Sequence, residues 1–211
     1  MFGEPSAVDS LAHVFDCDPM ALPIATPDRR LKHRRQIDVQ VYARGDGLWE
    51  VDARILDVRP EQTALLSGSV PAGDPIHEML LRLVVDDSFN IVAAGAHTLA
   101  MPYPGACDAY GDAYSSLVGL NLMRGFRHAV RERLGGVRGC THITELAPIL
   151  PTAVMQAFAD DVIDVRGDAA DAAQPFQIDR CQALRSDGET VRTYYPRWYR
   201  RAPASAVPSP R

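Results

Sequence analysis

The chain has 211 residues, 46% of them hydrophobic and 23% charged, and a formal net charge of -5 at pH 7. That length fills one core and leaves no room for two ordinary domains once the ends are set aside, and the balance is that of a soluble globular protein. No apolar run is long enough to span a bilayer, so no membrane partner is expected, and net acidity counts against a nucleic-acid partner.

The N-terminal stretch MFGEPSAVDSLAHVFDCD is acidic and lacks an apolar segment followed by a small-residue cleavage site, so it does not read as a secretory signal. Cys17, Cys107, Cys140 and Cys181 are scattered without a CxxC pair, which suits free thiols in a reducing cytoplasm better than a disulfide framework. Lys32 is the only lysine and lies in a charged stretch where nothing desolvates it, which disfavours Schiff-base chemistry.

Residues 1–27 read as a flexible arm with a short apolar pulse at Leu11–Phe15. The basic run Arg29 to Arg35 either holds an anion or is neutralised across strands by Glu50, Asp52 and Asp57. From His33 to Arg44 apolar residues alternate as Ile37, Val39, Val41 and Ala43. After Gly45-Asp46-Gly47 the series continues with Trp49, Val51, Ala53 and Ile55, which predicts a hairpin with both apolar sets on one face and Trp49 near the turn. No GxGxxG or Walker sequence occurs, so the common phosphate-cradling loops are not expected.

Residues 59–74 read as a loop leading to a second hairpin, Ile76–Asp86 with Phe89–Leu99. Alternation places His77 with Met79, Leu81, Leu83 and Val85. The same rule places His97 with Ile91, Ala93 and Gly95, so two imidazoles are expected on one face at the open end of this hairpin. The Pro-rich loop Met101–Cys107 carries Tyr103 towards that end, and residues 113–134 read as helix interrupted near Gly119.

Gly135-Gly136 then stops the helix and Gly139 precedes Cys140. Thr141 is expected to cap a new helix in which His142 and Glu145 share a face, with Cys140 at its positive end. A thiol so placed can be shifted towards thiolate. Pro148 and Pro151 break or bend this helix before Val154, Met155 and Phe158 resume an apolar stripe. Phe176–Leu184 and Glu189–Tyr195 read as a third hairpin about Ser186-Asp187-Gly188. The aromatic and basic stretch from Tyr194 to Arg201 reads as a docked clasp, and residues 201–211 as a disordered tail.

These patterns predict an α+β fold, a mainly antiparallel sheet or partial barrel of three hairpins with two central helices packed against it, in one domain over residues 28–200. The segments HRRQIDVQVYARGDGLWEVDARILD, PIHEMLLRLVVDD, PYPGAC, RERLGGVRGCTHITEL and YYPRWY together resemble the bacterial family of unknown function DUF2889 over roughly residues 28–200. A resemblance to a family without an assigned activity implies a domain extent and no catalytic roles.

The leading functional expectation is a small cytoplasmic enzyme of lyase or isomerase type that uses no organic cofactor. His77, His142, Glu145 and Cys140 would do acid–base chemistry on a small carbonyl or aromatic compound, with His97, Tyr103 and Trp49 as substrate contacts. All but Trp49 are expected around one cavity. No stoichiometric metal is expected, because no two cysteines or histidines stand at zinc-module spacing. The alternatives are a metal-binding protein with Cys140, His142, Cys107 and Cys181, and optionally His77, as ligands to zinc or iron, and a non-catalytic small-ligand or assembly module, either compatible with a homo-oligomer.

Overall fold

The computed structural model describes residue 23 and residues 25–169 and 171–201. The predicted arm therefore lies mostly outside the described residues, as do Cys17 and nearly all of the expected disordered tail.

Four antiparallel strands form the main sheet, in spatial order β1 Arg34–Ala43, β2 Trp49–Val58, β5 Pro75–Val85 and β6 Ile91–Ala100. The first hairpin follows the sequence pattern, with Ala43 paired to Trp49 and Arg34 to Val58. Gly47 supplies the positive φ of 80° that its turn needs. Residues 59–74 contain a small second sheet, β3 Thr63–Leu65 with β4 Gly68–Val70, where the sequence pattern predicts only a loop.

Strand pairing arranges the inner face in rows across β1, β2 and β5: Ala43-Trp49-Val85, Val41-Val51-Leu83, Val39-Ala53-Leu81, Ile37-Ile55-Met79 and, at the far end, Arg35-Asp57-His77. The apolar rows are roofed by three helices, α1 Phe126–Leu134, α2 Thr141–Leu146 and α3 Leu150–Phe158, and by a 3₁₀ turn at Gly111–Leu117 that packs on β6. Val51, Ile55, Met79, Leu81 and Leu83 on the sheet meet Tyr114, Leu134, Ile143, Leu146, Leu150 and Phe158 in one core. Each such side chain contributes about 1.5–3 kcal/mol when fully withdrawn from water. Among the described residues the helices thus lie on one side of an open antiparallel sheet, an α+β arrangement with no closed barrel.

The third hairpin does not form. Residues 182–184 make a 3₁₀ turn and Glu189–Tyr194 make a helix, α4. Local bonds such as Ile178 N–H to the Pro175 carbonyl and Arg180 N–H to the Gln177 carbonyl satisfy the backbone that a ladder would have used. Gly188 stands at the N-cap of α4, and Glu189 pairs with Arg192 one turn on, so the Ser-Asp-Gly step starts a helix rather than reversing a strand. The stretch beyond it does clasp: Arg197 donates to the Ala169 carbonyl and lies over the Trp198 ring, and Gln177 donates to Tyr195 Oη.

Candidate functional site

Asp57, Arg35 and His77 continue the inward series of β2, β1 and β5, so the sheet's apolar face ends in a polar row. Asp57 is 1% exposed. Its two oxygens accept from Arg35 Nε and Nη2, each at 2.8 Å, a bidentate fork that fixes the plane of the guanidinium. His77 Nδ1 lies 3.2 Å from Oδ2, and His33 Nε2 lies 3.2 Å from Oδ1. Burial works to raise the Asp57 pKa. The Arg35 hydrogen bonds and charge, with the charges of His33 and His77, outweigh burial and hold Asp57 below the usual carboxylate range. An ionised carboxylate only accepts, so Nδ1 of His77 carries the proton and Nε2 keeps its lone pair.

The helix α2 brings the second imidazole. Cys140, not Thr141, is its N-cap residue, with Thr141 opening the helix proper and no side chain capping it. Tyr114, buried under β6 and α2, holds this start in place. Its hydroxyl donates to the Cys140 carbonyl at 2.9 Å, accepts from the Cys140 N–H at 3.1 Å and meets Thr144 Oγ1 at 2.9 Å. Gly139 allows that approach, because a Cβ there would stand 2.9 Å from the Leu134 carbonyl oxygen and 3.2 Å from Tyr114 Oη. His142 stacks on His77 with ring centroids 3.9 Å apart and planes inclined by 29°, and its Nε2 is 3.8 Å from Asp57 Oδ2. Burial pushes both imidazoles below the ordinary histidine value, and the charge of His142 pushes His77 further, against the opposing pull of Asp57 on each. Both shifts favour the neutral imidazole.

Glu145, one turn along α2, accepts from Arg35 Nη1 at 2.7 Å and is half exposed. Cys140 Sγ lies 3.7 Å from Met79 Sδ and 3.9 Å from His142 Nδ1. His77, His142, Glu145 and Cys140 are thus brought together. His97 is not. The register slips by one residue between Val84-Ala93 and Val85-Ile91, and the bulge at Val92 reverses the parity of the rest of β6. His97 consequently pairs with Leu80 and is exposed on the outer face, with Thr98 inward in its place.

Tyr103 is half exposed on the loop after β6 and, among the described residues, its hydroxyl makes no hydrogen bond to the row. Trp49 lies eight residues up β2, about 26 Å from Asp57 at the usual rise, and packs partly buried against Phe158 at 4.8 Å, at the margin of the core. The basic run is neutralised in part, by Asp57 and Glu61 rather than by Glu50 and Asp52: Arg30 and Lys32 pair with Glu61 and Arg35 with Asp57, while Glu50 and Asp52 face Arg82.

A concavity of about 710 Å³ opens on the outer face of the sheet, lined by Asp38, Asp52, Arg54, Leu80, Arg82 and His97 among others. Its arginines are paired, Arg82 with Asp52 and Arg54 with Glu78, and it presents no acid–base couple. Buried charge and two imidazoles meet instead on the inner row. One donor atom each from Asp57, His77 and His142 lies within 4.8 Å of the others, a set able to hold a metal ion although the residues are distant in sequence. Cys107, Cys140 and Cys181 are free thiols and do not converge as the expected ligand set.

The family described as "Protein of unknown function (DUF2889)" matches residues 33–156, more than half of the chain. The chain belongs to that family. The matched segment begins at His33, takes in every residue of the row and α2, and ends inside α3, short of the clasp that the sequence resemblance included. No curated protein and no solved structure matched. No helix among the described residues is long and apolar enough to cross a membrane.

Proposed function

We propose that this DUF2889 chain is a cytoplasmic acid–base enzyme of lyase or isomerase type that moves a proton on a small carbonyl compound. His77 is the proton acceptor and His142 the second proton-handling group. The observation that carries the reading is the buried Asp57 carboxylate on His77 Nδ1, which selects the tautomer and leaves Nε2 free as a base. The stacked, neutral His142 stands close enough to return a proton once His77 has taken one. Arg35 completes the unit by keeping Asp57 ionised and fixed.

The test is solvent exchange. In D₂O, wild type should catalyse α-proton exchange in at least one member of a panel of small aldehydes, ketones and oxo acids, read by proton NMR. His77→Ala and His142→Ala should lose that exchange while unfolding at the wild-type temperature within a few degrees. Exchange undiminished in both variants would remove the reading.

A second reading is metal binding by Asp57, His77 and His142, favoured by the closeness of their donor atoms. Arg35 weighs against it, since both Asp57 oxygens already accept from a guanidinium whose charge a metal cation would meet. Tight stoichiometric zinc, lost in both histidine variants, would replace the acid–base reading with this one.

A further inference from the structure

Resting on the acid–base reading, we propose that the site takes a carboxylate-bearing carbonyl compound, that Arg35 Nη1 receives its carboxylate, and that Glu145 occupies this position when no substrate is bound. The guanidinium is a planar fork whose direction is set once two of its donors are committed. Asp57 commits Nε and Nη2, so Nη1 is aimed without any help from Glu145.

Of Arg35's two carboxylate partners, one is able to leave. Asp57 is short, buried and also bonded to His77, whereas Glu145 is 49% exposed, reaches Arg35 from a six-residue helix and makes a single bond to it. An exposed single-contact ion pair is weak and readily exchanged for another carboxylate. Of the neighbouring cations, Arg30 and Lys32 pair with Glu61, His33 leans on Asp57, and Arg34 is turned to the opposite face of β1 by strand alternation.

A carboxylate on Nη1 therefore takes over a ready-made contact at the rim of the row. Through Asp57 that row ties Arg35 to the imidazole pair, so a carbonyl compound anchored there is held at the edge of the same row as His77. A guanidinium fixed by one carboxylate and offered to another is a positioning device for an acid, not for a neutral ketone.

The experiment follows the side-chain resonances of His77 and His142 in the full-length chain as sodium acetate replaces sodium chloride at constant ionic strength, in wild type and in Glu145→Ala. Acetate should shift both imidazoles saturably, with affinity up to about fivefold tighter in Glu145→Ala, the advantage a weak internal competitor forfeits. Acetamide should shift neither. Equal affinity in the two proteins, no saturable shift in either, or an acetamide effect as large as that of acetate would overturn the proposal. Inorganic phosphate binding as tightly as acetate would overturn the carboxylate class. The acid–base reading fails separately, through α-proton exchange that does not depend on His77. Exchange that depends on His77 but shows no preference for oxo acids over neutral ketones sinks this subsite alone.

Discussion

Replacing Asp57 by Asn keeps the shape of the side chain and removes its charge from a position that is 1% exposed. Asn offers one acceptor where Arg35 Nε and Nη2 now find two, and it turns an N–H₂ towards a guanidinium that cannot accept. A hydrogen bond to a charged group contributes about 1.5–3 kcal/mol, and a broken buried pair costs about 3–5 kcal/mol. Arg35 keeps Glu145 and about a third of its surface in water, so the cost falls below that of a fully buried pair, to a loss of about 2–3 kcal/mol. With an m-value near about 2 kcal/mol/M, the urea midpoint should fall by about 1–1.5 M at pH 7 with m unchanged.

The same variant carries a pH signature. The folded pKa of Asp57 is depressed, so its stabilisation is complete above the unfolded carboxylate value near ~3.9 and is lost as pH falls from there through the folded value. The gap between wild type and Asp57→Asn should therefore persist at neutral pH, widen as pH falls through the histidine range because Asp57 no longer supports the imidazoles, and close in stronger acid. A midpoint change under about 0.3 M at pH 7, or a gap that persists unchanged at pH 2, would refute the claim that a buried, ionised Asp57 organises this end of the sheet.

His77 and His142 have depressed folded pKa values, so the unfolded chain binds more protons just below the ordinary histidine value; stability should fall as pH drops through about 6.5, and His77→Gln/His142→Gln should flatten that limb in urea titrations. Gly139→Ala should cost about 1–3 kcal/mol, because its Cβ enters the space between Leu134 and Tyr114, with the loss read in thermal unfolding. Trp49→Ala should cost about 1.5–3 kcal/mol by removing a partly buried ring from beside Phe158, yet leave the His77 and His142 resonances in place, since it lies at the other end of β2. His97→Ala should change stability by no more than about 0.5 kcal/mol and leave proton exchange intact.

Period-2 alternation makes β1, β2 and β5 legible, and it carries His77 to the correct face. Asp57 and Arg35 stand in that same alternation, two residues beyond Ile55 and two before Ile37, so the signal for the polar row is present as a charged residue continuing each apolar series. Sequence spacing alone casts Asp57 as a partner for the basic run and not as the centre of the site. Alternation fails on β6 because a single bulged residue, Val92, reverses every side chain after it, and nothing in IVAAGAHTLA marks that insertion. The third hairpin fails for a different reason: its apolar pattern is short, and a Ser-Asp-Gly step serves a helix N-cap as well as a turn. Tyr114, which fixes the start of α2, is reached from a 3₁₀ turn 26 residues away, a long-range contact that no local pattern announces.

The most direct test of the central claim is the NMR titration of the two imidazoles in wild type, Asp57→Asn and His142→Gln. His77 should titrate below the ordinary histidine value in wild type with its proton on Nδ1. Removing Asp57 should lower its pKa further, and removing the His142 charge should raise it. A wild-type His77 that titrates at or above about 6.5, or that responds to neither substitution, would contradict the assignment of this pair as the proton-transfer unit.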